Sequence, residues 1–261
     1  MKKKLSLLLL ILCFIQSYAT SEIIEVNSIH EIKNYIGPET LILFDIDNTL
    51  MEPTQTLGSD QWFQHTLKER RNNGMKREDA LDLTLSQWMS IQSVTKVKVV
   101  EEGTAELIDH LQKEGFTLMG LTTRGLGLST RTVFQLKSLD INLTTTAPTH
   151  EEIFFINHHG VLFRGGILFT AGTNKGMALA KFLHLIGKEP ENIVFINDKW
   201  SNIREVEVVA EKYQVPFTGL RYSYTDEKVA NFNPELAEMQ FKEFGHIISD
   251  DEASARLLEA N

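Results

Sequence analysis

The stretch TLILFDIDNTL, Thr40 to Leu50, carries two signals side by side. Its first half is a short unbroken apolar run, which suits a strand buried on both faces. Its second half places two carboxylates, Asp45 and Asp47, on one side of an extended segment. Like charges that close need a cation beside them, or one acid kept protonated. Mg2+ would serve, because it prefers carboxylate, carbonyl and water oxygens. A solvated Asp-Asn turn closing a strand is the plainer alternative.

The same arrangement recurs outward from this stretch. Phe116 to Leu121 is a second apolar run, followed by Thr122-Thr123-Arg124. Asn192 to Ile196 is a third, followed by Asn197-Asp198-Lys199-Trp200-Ser201-Asn202. Helical patterns lie between them. Thr104 to Glu114 ends at Gly115, and Ser129 to Leu139 follows the second run. Asn174 to Ile186 sets Leu179, Phe182, Leu183 and Ile186 on one face. Strands separated by helices imply an α/β fold, a Rossmann-like parallel sheet covered on both faces. Ligands in such sheets bind at the carboxyl ends of the strands. The expected core comprises 20–58 and 95–261, ending in acidic helices near Pro234–Phe244 and Asp250–Glu259. Residues 59–94 are helical and polar and read as a small cap inserted after the first strand. Glu152 to Phe163 reads as an inserted β-hairpin, its turn at Asn157-His158-His159-Gly160.

The start of the chain has a different character. Lys2, Lys3 and Lys4 precede an apolar run from Leu5 to Ile15, and Ser17-Tyr18-Ala19 offers small residues at a cleavage position. Residues 1–19 therefore read as a signal peptide, and the mature protein as periplasmic or secreted. The run is short of the ~20 residues a membrane span needs, and no second such run follows. Cys13 is the only cysteine in 261 residues. The mature chain thus has no disulfide and no cysteine-bound metal, and its core alone must hold it together. The formal net charge is −9, and loss of the leader removes three lysines and no acid. So acidic a chain lacks the basic face that nucleic-acid binding requires.

With the strand ends in view, the chain resembles the haloacid dehalogenase-like (HAD) phosphohydrolase superfamily. Phe44–Leu50 matches the first motif, Asp-x-Asp-x-Thr after an apolar strand, and Leu121-Thr122 matches the second. Lys175 in TNKGMAL matches the third, and Asn197-Asp198 with Asn202 in INDKWSN matches the fourth. The resemblance spans roughly 38–225 and extends to secreted bacterial HAD-like proteins of unassigned function. It implies a phosphatase acting on a small phosphorylated substrate. Asp45 would be the nucleophile that takes the phosphoryl group. Asp47 would serve as general acid and then base. Thr122 would hydrogen-bond the phosphoryl oxygens, and Lys175 would neutralise charge between nucleophile and phosphate. Mg2+ would sit on Asp45, the backbone carbonyl of Asp47, Asp198 and Asn202. Thr123 and Arg124 become candidate substrate contacts, with a surface salt bridge the alternative for Arg124. The fourth motif carries one acid here, flanked by Asn197 and Asn202, so the metal is expected to bind less tightly.

Other side chains get plainer readings. Trp62, His65, Trp88 and Met89 could face a substrate, although both tryptophans read better as packing for the cap itself. His158 and His159 read as a turn before a metal pair. His110, His184 and His246 receive no role. Two rival functions remain beside the phosphatase. One is a HAD-fold binding module with little or no catalysis; the other is a phosphotransferase using the same residues.

Overall fold

Strand β2, Thr40–Phe44, lies at the centre of the sheet with every residue buried. The computed structural model describes residues 20–244 and 250. The leader, Cys13, His246 and nearly all of the second expected C-terminal helix lie outside the described residues. Parallel neighbours flank β2: β5, Thr117–Thr122, on one side and β9, Asn192–Asn197, on the other. Alternation along these strands divides the core in two. Ile42 and Phe44 join Leu118, Val194 and Ile196 on one face, against Leu107, Ile108 and Leu111 of α3, Thr104–Lys113. Leu41 and Leu43 join Met119, Leu121, Ile193 and Phe195 on the other. That face is covered by α5, Lys175–Leu185, and α6, Trp200–Lys212. The fold is therefore α/β, with a mostly parallel sheet between helical layers.

The sheet is wider than the apolar runs suggest. Among the described residues it has eight strands, in the order β1-β10-β9-β2-β5-β8-β7-β6. β1, Ser21–Val26, makes Thr40–Phe44 the second strand of the chain. It pairs with β10, Phe217–Tyr222, at an edge where half-polar residues suffice and no apolar run announces a strand. β8, Ile167–Phe169, is only three residues long, yet it pairs in parallel with β5. The expected hairpin forms as β6, Ile153–Asn157, and β7, His159–Arg164. Two corrections apply to it. First, β7 pairs with β8, so the hairpin is the outer margin of the main sheet, not an insert. Second, the bend narrows to His158, at φ +63°, while His159 and Gly160 belong to a strand.

After β2 the chain enters a short antiparallel stem, β3, Met51–Pro53, with β4, Val97–Val99. Between these strands lie α1, Asp60–Asn72, and α2, Arg77–Val94. Ser59 caps α1 by accepting from Trp62 N. Trp62, Trp88, Leu57 and Ile91 form a third apolar cluster with Leu128 and Ala237. Ala237 belongs to α8, Pro234–Lys242, whose Phe241 ring lies 6.0 Å from Trp62. Both tryptophans are therefore packing residues. Among the described residues no helix is long and apolar enough to cross a membrane.

One glycine governs how α5 seats. A Cβ at Gly176 would lie 1.9 Å from the Glu205 carbonyl oxygen of α6, a backbone atom that cannot step aside. Gly176→Ala is expected to cost about 1–3 kcal/mol through overpacking, read as a lower urea midpoint at unchanged m value.

Candidate active site

The carboxyl ends of β2, β5 and β9 bring the predicted residues into one place. Asp45 leaves β2 held by its own N–H, which donates to the Ile196 carbonyl at 3.0 Å. The chain then turns through Asn48, at φ +57°, a left-handed conformation that asparagine tolerates. The turn is closed by Leu50 N and Met51 N, both donating to the Ile46 carbonyl. It aims Asn48 Nδ2 at Asp198 Oδ2, 3.2 Å away, so the first and last motifs meet directly.

Each of the paired acids has its own cation. Lys175 Nζ donates to Asp45 Oδ1 at 2.7 Å, with both side chains buried. Burial raises the Asp45 pKa, and the Lys175 charge offsets only part of that rise. Lys175 opens α5, capped by Asn174; its backbone N–H donates to Glu205 Oε2 at 2.7 Å. Arg124 grips Asp47 with two parallel bonds, Nε to Oδ2 at 2.9 Å and Nη2 to Oδ1 at 2.7 Å. Burial alone would raise the Asp47 pKa; the Arg124 charge and hydrogen bonds, helped by Lys199 and Lys175, hold it below the usual carboxylate range.

Arg124 differs from both readings of its role. It is 2% exposed, so it forms no surface salt bridge. Its remaining donors reach Thr132 Oγ1, Gln135 Oε1 and Gln92 Oε1, and its guanidinium lies 5.3 Å from the Trp88 ring centre. Nothing is left over for a substrate, because the fork is consumed by Asp47 and by helices on both sides of it. Thr122 is buried, and its hydroxyl accepts from Arg124 N at 3.1 Å, whereas Thr123 is exposed.

The β9 loop supplies the rest. Asp198 is 8% exposed, and its Oδ1 has no hydrogen-bond partner in the protein. Burial, then the nearby Asp45 charge, pushes its pKa up to about 7. Asn197 Oδ1 accepts from Lys199 N at 2.8 Å and from Asn202 Nδ2 at 3.4 Å, so the two asparagines tie the loop together. Lys199 Nζ reaches across to Asp60 Oδ2 at 2.7 Å, at the first residue of α1. Burial disfavours its charge, but Asp60 and Asp198 outweigh that and raise its pKa. Sequence reading passed over Lys199, Asp60, Asn48 and Gln92. Lys199 stood inside the fourth motif, but its partner is 139 positions away and no spacing rule connects them.

Over residues 25–254 the chain matches the family model described as "Protein of unknown function (DUF2608)". It belongs to that family. The DUF2608 chain is 27% identical to a Chlamydia pneumoniae protein over 244 residues, covering 92% of each. It is 25% identical to one from Chlamydia trachomatis over 251 residues, covering 95% of each. Both relatives are provisionally named outer membrane proteins. Among solved structures it is similar to a haloacid dehalogenase-like hydrolase of Streptococcus pneumoniae, at TM-score 0.43 and 16% identity, covering 74% of this chain and 98% of that one. It is also similar to a hydrolase from Pseudomonas syringae, at TM-score 0.44 and 12% identity, covering 79% and 100%.

Removing Arg124 would strand the Asp47 charge and three uncharged acceptors together. Arg124→Met is expected to destabilise the fold by about 3–5 kcal/mol, measured by urea unfolding. Thr123→Ala, at the exposed neighbouring position, should stay within about 0.5 kcal/mol.

Proposed function

We propose that this chain is an exported phosphatase that hydrolyses a small phosphomonoester through a phosphorylated Asp45. The observation that carries this reading is the convergence of three groups from two strand ends and the start of α5. Asp45 is buried and held by Lys175, and Asp198 stands beside it with one oxygen unpartnered. A purely structural role would leave no buried carboxylate oxygen without a partner, because that costs about 1–3 kcal/mol or more.

In this reading an Asp45 oxygen attacks phosphorus, the bond to the leaving oxygen breaks, and an aspartyl-phosphate forms. Lys175 keeps Asp45 oriented and balances charge as the phosphoryl group arrives. Asp47 then orients and deprotonates the water that releases phosphate. To protonate the leaving oxygen in the first step, Asp47 must first release one of its Arg124 hydrogen bonds and take up a proton from solvent; the water it deprotonates in the second step restores that proton. Thr122 and the exposed Thr123 border the phosphoryl position.

The donor set fits Mg2+. Among the described residues no three acids or histidines converge as a metal cage. Mg2+, however, keeps several waters and commonly uses only one or two carboxylates with substrate phosphate. Asp45 and Asp198 would supply these, with the Asp47 carbonyl, and Asn202 would hold a bound water. The ion would supply charge neutralisation for the phosphoryl group.

The α1–α2 pair serves in this reading as a cap that limits the substrate to small molecules. It touches the motif loops through Asp60 to Lys199 and Gln92 to Arg124. Export is supported by the leader-like residues 1–19 and by the names of the chlamydial relatives. The grip of Arg124 on Asp47 favours one second reading, a module that binds a phosphorylated ligand without turnover.

Hydrolysis of p-nitrophenyl phosphate by residues 20–261 separates the two. Turnover is expected with Mg2+ and lost in EDTA. Asp45→Asn should abolish it, and Asp47→Asn should lower it on the order of 10²-fold or more. Absence of turnover together with magnesium-dependent phosphate binding would establish the second reading.

A further inference from the structure

The carboxylates at the strand ends feel three cations, and these differ in access. Lys175 is fully buried and bonded to Asp45. Arg124 is buried, and every donor of its fork is engaged. Lys199 is different: its side chain is 39% exposed, and its ammonium is paired with Asp60. Its charge nevertheless acts on Asp45, Asp47 and Asp198. One ammonium thus faces the acidic cluster on one side and open solvent on the other. Its backbone is fixed by the bond from its own N–H to Asn197 Oδ1, so the flexible stem pivots from a firm base.

We propose that Lys199 is the substrate-binding cation of this site, and that Asp60 is its resting counter-ion. An entering phosphate dianion would displace the Asp60 carboxylate from Lys199, exchanging one charge-assisted hydrogen bond for another. This rests on the phosphatase reading above and deepens it. Selection would fall on the anionic end of the substrate, and the first residue of α1 would be the competing anion. Asp60 sits in the first turn of a 13-residue helix, where a carboxylate is stabilised by the helix dipole, so it need not follow Lys199 when released.

A mere strut between the helical pair and the core predicts something else. Loss of either partner would then weaken the same contact, and both variants would change in the same direction. The exchange predicts opposite signs. Lys199→Met should weaken binding of inorganic phosphate on the order of tenfold or more, the equivalent of about 1.4 kcal/mol. Asp60→Asn should leave that affinity equal or make it a few-fold tighter, since the competitor is gone. If p-nitrophenyl phosphate is turned over, Lys199→Met should raise KM with a much smaller effect on kcat.

The measurement is calorimetric titration of inorganic phosphate, in magnesium buffer, into the wild-type chain, Lys199→Met and Asp60→Asn, with a melt of each to show that all three are folded. Weaker binding in Lys199→Met with equal or tighter binding in Asp60→Asn supports the exchange. Equal affinity in wild type and Lys199→Met overturns it while leaving the phosphatase reading intact. So does an equal loss in both variants, which is what a strut produces. Failure of the folded wild-type chain to bind phosphate overturns the exchange, whereas the phosphatase reading falls only if p-nitrophenyl phosphate is also not turned over.

Discussion

Three carboxylates stand at the ends of apolar strands, where little water reaches them, and this repulsion dictates where the cations go. Asp45, Asp47 and Asp198 come from β2 and β9, two neighbouring parallel strands. Unbalanced, they could not all stay ionised in one low-dielectric pocket. Lys175 and Arg124 are therefore brought in from α5 and from the end of β5, and each must be buried to be useful. Burying a lysine and an arginine demands further partners, and the helices supply them. Asn174 caps α5, whose Lys175 backbone N–H is held by Glu205 from α6. Thr132 and Gln135 come from α4, Ser129–Lys137, and Gln92 from α2. The acids thus organise the layers around them as much as the apolar core does.

The two pairs are not equivalent. Asp45 keeps a single contact to a point charge, which leaves the rest of the carboxylate available for chemistry. Asp47 is held by a planar fork with a second layer of hydrogen bonds behind it. Such an arrangement fixes geometry at the expense of mobility. The contrast suits a group that reacts beside a group that orients.

What could be read from the chain follows from how physical signals are encoded. The three central strands and their flanking helices were legible because burial on both faces demands an unbroken apolar run. Asp45, Lys175 and Asp198 were legible because their positions at element boundaries are local. β1, β8 and β10 were not, since Ser21–Val26 alternates polar residues, Ile167–Phe169 is very short, and Phe217–Tyr222 contains Gly219 and Arg221. Arg124 was singled out but its partners were not: Asp47 is 77 positions away and Gln92 is 32, distances that only the folded chain closes. The hairpin at Ile153–Arg164 was recognised as a local unit. Its place in the sheet depended on Gly165 and Gly166, whose positive φ turns the chain back into β8.

The apolar cluster beneath the α1–α2 pair is shared between distant parts of the chain. Leu57, Trp62, Trp88 and Ile91 lie early; Ala237 and the partly buried Phe232, Phe241 and Phe244 arrive at the end of the described core. Leu57 N also donates to Gln240 Oε1, 183 positions on. The helical pair therefore cannot complete its own interior when it emerges. Its apolar face stays uncovered until Phe232 to Phe244 have been made. The pair and the later part of the chain are thus joined late, and α8 acts as the clasp that closes a contact opened 183 positions earlier.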